Sequence, residues 1–126
     1  MTNFPQALLY MTIFLTSLSG AYASAQPETV TQQAAKFVPE STVDNFYQVS
    51  EELYRSGQPG APQMQELEQR GIKSILNLRN FHTDDAEAKG TMLNLFHVPM
   101  EAGRFTEPQL IAALKIMKDA PKPMVV

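Results

Sequence analysis

The sequence predicts an α/β fold, an incomplete three-layer sandwich with a mostly parallel central sheet. Three observations carry this. From about Asn45 onward, strand-like and helix-like segments alternate in the order β-α-β-α-β-α-β, the pattern of helices layered on a parallel sheet. The run Ile72-Lys73-Ser74-Ile75-Leu76-Asn77-Leu78 places apolar residues on both faces of a strand, as strands covered on two sides do. Met124-Val125-Val126 then opens a further apolar strand with no helix after it, so the sandwich reads as cut inside a strand.

The elements follow in order. Phe46, Tyr47 and Val49 make a short strand-like run, and Leu53-Tyr54-Arg55-Ser56 a second. Gly57-Gln58-Pro59-Gly60 is a turn, because Gly and Pro interrupt regular structure so strongly. Pro62 suits the first turn of a helix, where its missing N–H costs nothing. Met64 and Leu67 share one face of that helix, and Gly71 is its expected stop. After the Ile72–Leu78 strand, Asp84 with Glu87 three residues later reads as a capping box opening a second helix, which would contain Gly90. Phe96-His97-Val98 is the next strand, ended by Pro99. Thr106 and Gln109 repeat the capping pattern, and Leu110, Ile111, Leu114 and Met117 form the expected core-facing stripe of the last helix. Pro121 and Pro123 close it.

Composition narrows the function. The chain has 126 residues, enough for one domain of ordinary size. Ten Lys and Arg against 13 Asp and Glu leave no basic stripe of the kind nucleic-acid binding needs. Cysteine is absent, which removes disulfides, thiolate metal sites and any cysteine nucleophile from these residues. Of the two histidines, His82 sits in a polar loop, and His97 alternates with Phe96 and Val98 as a strand residue. Neither shows a recognisable zinc-ligand spacing, and no cofactor is expected.

The first 25 residues read as a signal peptide. No charged side chain occurs before Glu28, an apolar core runs from Ala7 to Leu18, and Ala23-Ser24-Ala25 is an A-x-A cleavage pattern. The apolar stretch is too short for the roughly 20 residues that span a bilayer. An uncleaved membrane anchor is the competing reading, because the segment lacks Lys and Arg. The expected product is periplasmic or secreted, with no stable membrane insertion once the signal is removed. Residues 26–44, polar and without a clean period, read as a flexible linker. The domain proper is expected over 45–126.

Four segments within that domain carry a resemblance: Leu53-Tyr54-Arg55-Ser56-Gly57-Gln58-Pro59, Gly71-Ile72-Lys73-Ser74-Ile75-Leu76-Asn77-Leu78-Arg79, His97-Val98-Pro99-Met100 and Lys122-Pro123-Met124-Val125-Val126. In this order they resemble the small dual-specificity and tyrosine phosphatase-like families, including the bacterial group related to phosphatase domains fused to NAD kinase. The resemblance implies a cysteine-phosphatase-like sandwich acting on a phosphorylated substrate. In those families the strand matching Met124–Val126 leads into a His-Cys loop ending in Arg. There a thiolate attacks phosphorus while backbone N–H groups and the Arg hold the phosphate oxygens. None of that loop is within these residues, so catalysis is not expected of the chain as it stands.

The resemblance also proposes site residues. The families place a general acid, usually Asp, on the loop that here reads Met100-Glu101-Ala102-Gly103-Arg104-Phe105. Glu101 is the one carboxylate near that place, and a solvated loop carboxylate is its plainer reading. Arg55, Arg79 and Arg104 are candidate substrate-binding residues. Arg79 equally suits an ion pair with Asp84 or Asp85, and Arg55 a surface strand. Two other functions stay open: a non-catalytic exported α/β binding module or remnant, and half of a rhodanese-like sulfurtransferase. Because the last strand would sit at the sheet's centre with one side unpaired, residues 26–126 are not expected to fold cooperatively alone.

Overall fold

The computed structural model describes residues 33–126. The signal peptide expected over 1–25, and the first part of the expected linker, lie outside the described residues.

Six strands form one sheet: β1 (Lys36–Phe37), β2 (Tyr47–Gln48), β3 (Leu53–Arg55), β4 (Ser74–Arg79), β5 (Asn94–Met100) and β6 (Met124–Val125). Their spatial order is β1-β2-β3-β6-β4-β5. The pairings β1–β2 and β2–β3 are antiparallel, while β3–β6, β6–β4 and β4–β5 are parallel. Helix α1 (Ala61–Gln69) connects β3 to β4, and α2 (Glu107–Asp119) connects β5 to β6. The first crossover steps over the place of β6 and the second returns to fill it, so the two helices cover opposite faces.

The two cores show this directly. On one face Met64 and Leu67 of α1 pack with Ile75 and Val125, joined by Phe46, Ile72 and Val43. On the other, Ala113 and Ala120 from α2 and its C-terminal cap pack with Leu76, Met124 and Val98. Adjacent residues Ile75 and Leu76, like Met124 and Val125, point to opposite cores. This is the two-sided burial that the apolar strand pattern predicts.

Helix α1 ends as expected. Gly71 lies at φ +88°, its N–H donates to Glu68 O (2.9 Å), and the Ile72 N–H donates to Leu67 O (3.1 Å). That pair of bonds is the Schellman closure, whose left-handed residue glycine adopts without a Cβ penalty. Thr106 and Gln109 form the capping pair of α2, with the Thr106 N–H donating to Gln109 Oε1 at 2.7 Å.

Five expectations are corrected. The helix expected from Asp84 is a single turn, with Ala88 N–H donating to Asp84 O (2.9 Å) and Gly90 at φ +87° just after it. Its capping box does not form, because the Asp84 carboxylate instead accepts from Gln58 and Asn77. The strand expected to stop at Pro99 continues to Met100. β5 is the outer strand, and its pairing with β4 slips between Asn77 and Arg79; edges and bulges are where a proline's missing N–H is tolerated. Residues 36–44, expected within a flexible linker, supply β1 and the buried Val43. Of the expected stripe Leu110, Ile111, Leu114 and Met117, the first three are 42, 43 and 53% exposed and Met117 packs against the core, beside the buried Ala113 and Ala120 and the half-buried Ile116. Small alanines let the helix lie close to the sheet, so side-chain size misidentified the inner face. Finally, β6 is not left with an open side: it pairs with both β3 and β4.

Candidate functional site

Parallel α/β sheets bind ligands beyond the carboxyl ends of their strands, where crossovers diverge to opposite faces. Here that point is β6, between the α1 and α2 crossovers. A cavity of about 300 Å³ opens there, lined by Ser56-Gly57-Gln58-Pro59 after β3, by Ile75 to Arg79 of β4, by Asp84, and by Val125 and Val126. Its walls are set by backbone pairing: Val126 N–H donates to Tyr54 O (3.0 Å), and Ser56 N–H donates to Val126 O (3.1 Å).

One polar network forms the cleft's wall. Asp84, 5% exposed, accepts from Gln58 Nε2 (2.7 Å) and Asn77 Nδ2 (3.1 Å), both on Oδ1. Asn77 Nδ2 also donates to His82 O (2.8 Å), and Asn77 Oδ1 accepts from the Arg79 N–H (2.8 Å). A buried carboxylate held by two amides costs far less than a bare one. The network also fixes the backbone from which the Arg79 side chain leaves the sheet.

The sequence-proposed residues separate. Arg79 lines the cleft. It is exposed and pairs with neither Asp84 nor Asp85, so the expected ion pair does not form among the described residues. Asp84 Oδ1 is already engaged by two amides. Arg55 lies on β3 with its guanidinium 4.1 Å from the centre of the Tyr47 ring, a cation–π contact at the surface. It does not line the cleft. Glu101 and Arg104 are both exposed and close a turn through the Arg104 N–H to Glu101 O bond (2.9 Å); neither lines the cleft. His97 Nε2 is 2.7 Å from Arg79 O. Sequence reasoning missed Gln58, Asn77 and Asp84 as site residues. Asn77 did carry a signal, as an amide inside an apolar strand that must find partners once buried.

No protein-family model matches the chain, and no curated protein matches it either. Solved structures do. TpbA of P. aeruginosa superposes with a TM-score of 0.62 at 22% identity, over 72% of this chain and 56% of that one. TpbA has also been solved in complex with pTyr. The core catalytic domain of the PP-IP phosphatase SIW14 from S. cerevisiae, in complex with citrate, matches with a TM-score of 0.58 at 28% identity, over 66% of this chain and 54% of that one. The chain thus spans a little over half the length of the solved structures it matches. Its fold is that of the cysteine phosphatases.

Proposed function

We propose that this chain is the phosphatase-like part of an exported protein that hydrolyses phosphomonoesters by the tyrosine or dual-specificity chemistry, and that these 126 residues alone do not catalyse it. The observation that carries the reading is the cleft at the carboxyl end of β6 with Arg79 on its wall. A guanidinium with no ion-pair partner among the described residues is suited at that position to a phosphate group, which it can hold through two parallel N–H bonds. The fold shared with TpbA and SIW14 supports the same substrate class. The thiolate must come from outside these residues, since they contain no cysteine. The apolar core and A-x-A pattern before Gln26 support export.

The test has two parts. The purified chain is offered p-nitrophenyl phosphate, and no turnover is expected; metal-free hydrolysis by the chain itself would overturn the inactivity. Phosphotyrosine binding is then measured by calorimetry. Arg79→Ala is expected to weaken it about tenfold, the loss of one charge-assisted contact at a partly exposed site. Binding indifferent to Arg79 would remove the cleft from the reading and favour a binding module with another ligand.

A further inference from the structure

The turn after β4 gathers three side chains of a different chemistry. His82, Asp84 and Glu87 each offer one ligand atom, and the three atoms lie within 4.8 Å of one another. We infer that they form a divalent-cation site of the kind Zn²⁺ takes, with one imidazole and two carboxylates as protein ligands.

Three observations point to a ligand rather than to a self-satisfied cluster. His82 Nε2 and Glu87 Oε2 are shielded from solvent and have no hydrogen-bond partner among the described residues. The His82 Nε2 to Glu87 Oε1 distance of 3.2 Å brings opposite charges together if the ring is protonated, yet the ring nitrogen makes no hydrogen bond. Asp84 is nine-tenths buried, and both hydrogen bonds to it from described residues end on Oδ1. Oδ2 is therefore left for the cation while Gln58 and Asn77 orient the carboxylate, the role that outer partners play around metal ligands.

The donor set selects the ion. A nitrogen ligand favours Zn²⁺ over Mg²⁺ and Ca²⁺, which prefer all-oxygen shells. Three protein ligands leave a fourth tetrahedral position for water. Bonds of about 2.0–2.2 Å put tetrahedral ligands about 3.3–3.6 Å apart, so separations that reach at most 4.8 Å close by up to about 1.5 Å on binding. His82 and Glu87 are partly exposed, at 39 and 24% of their side chains, and they stand on a turn rather than within a helix or strand. They can make that adjustment. The buried Asp84 stays in place. The cation would offset both carboxylates at the edge of the cleft that Asp84 lines. The sequence hides the cluster, because ligand separations of two and three residues suit no regular helix or strand face.

The experiment titrates Zn²⁺ into the EDTA-stripped full chain by calorimetry. One ion per chain is expected, weakened at least tenfold by His82→Ala and by Glu87→Gln and unchanged by His97→Ala. The melting temperature should rise with Zn²⁺ and not with Mg²⁺, because a ligand of the folded state stabilises it by mass action. Should a variant fail to fold, the intact chain decides. With two histidines in the sequence, the imidazole NMR signals are few, and those of His82 should move at one equivalent while those of His97 stay. No stoichiometric binding, equal response to Mg²⁺, or a signal shift at His97 instead of His82 overturns the site.

Discussion

At the scale of single residues, the cleft depends on a carboxylate that the sequence offered as a helix cap. Asp84 is buried and accepts from two side-chain amides. Asp84→Ala would leave the donors of Gln58 and Asn77 without their acceptor in a partly dry site. Unmet buried donors cost about 1–3 kcal/mol each, and Gln58 is exposed enough to find water. A loss of about 2 kcal/mol is therefore expected in urea unfolding. A loss under about 0.5 kcal/mol would mean that Asn77 re-pairs and that the network does not hold the wall. Asn77 was legible as an anomaly in its strand; Asp84 was not, since Asp84 and Glu87 three apart match a capping box whether or not a helix follows.

Elements show where pattern reading succeeds and where it fails. Gly71 and the Thr106–Gln109 pair mark helix ends through local bonds, so a local signal located them. Which face of α2 is inner was decided by the sheet beneath it. Two faces compete on that helix: Leu110, Ile111 and Leu114 of the expected stripe against Ala113, Ile116 and Ala120, with Met117 of the expected stripe falling on the second. The alanine stripe is inside. Leu114→Gln is accordingly expected to change stability by no more than about 0.5 kcal/mol, as exposed positions do. Ala113→Leu should cost about 1–3 kcal/mol, because added methylenes have no space between helix and sheet. Thermal melts of the two variants decide it, and the reverse ranking would restore the leucine stripe to the core.

For the described unit as a whole, closure depends on joining distant segments. β6 bridges β3 and β4 through Met124 opposite Leu53 and Ser74, and it contributes a side chain to each core. At the other end, Glu66 of α1 holds the segment before β2. It accepts from the Thr42 hydroxyl, from Ser41 Oγ (2.7 Å) and from the Thr42 N–H (3.0 Å), and it pairs with Arg70 Nε at 2.8 Å. These bonds, the Thr42 hydroxyl foremost, lower its pKa from 4.5 to about 2 against the opposing effect of burial. A pKa depressed by folding adds stability that is complete above pH 4.5 and fades as pH falls toward 2. Acid unfolding should thus be steeper in the wild type than in Glu66→Gln, which lacks that titration. Identical acid limbs in urea midpoints measured from pH 6 to 2 would show that the contact contributes nothing.

The sequence alone determined the succession of β2 to β6 with α1 and α2 between them, the two-sided burial of β4, the helix ends at Gly71 and Thr106, and the likeness to the cysteine-phosphatase fold, but not the absence of a helix between β4 and β5. All but the last are written in neighbouring residues, through periodicity, capping chemistry or left-handed glycine; the likeness rests on four segments that resemble those of the family. Tertiary structure decided the rest: that 36–44 joins the sheet, that α2 turns its alanines inward, that β5 runs through Pro99, and that β6 is paired on both sides. It also decided that Asp84 faces Gln58 and Asn77 while Arg79, at the cleft, pairs with neither Asp84 nor Asp85. The reason is common to all of them. Such outcomes compare partners far apart in sequence, and the favoured partner depends on the space and hydrogen-bonding groups that the assembled sheet presents.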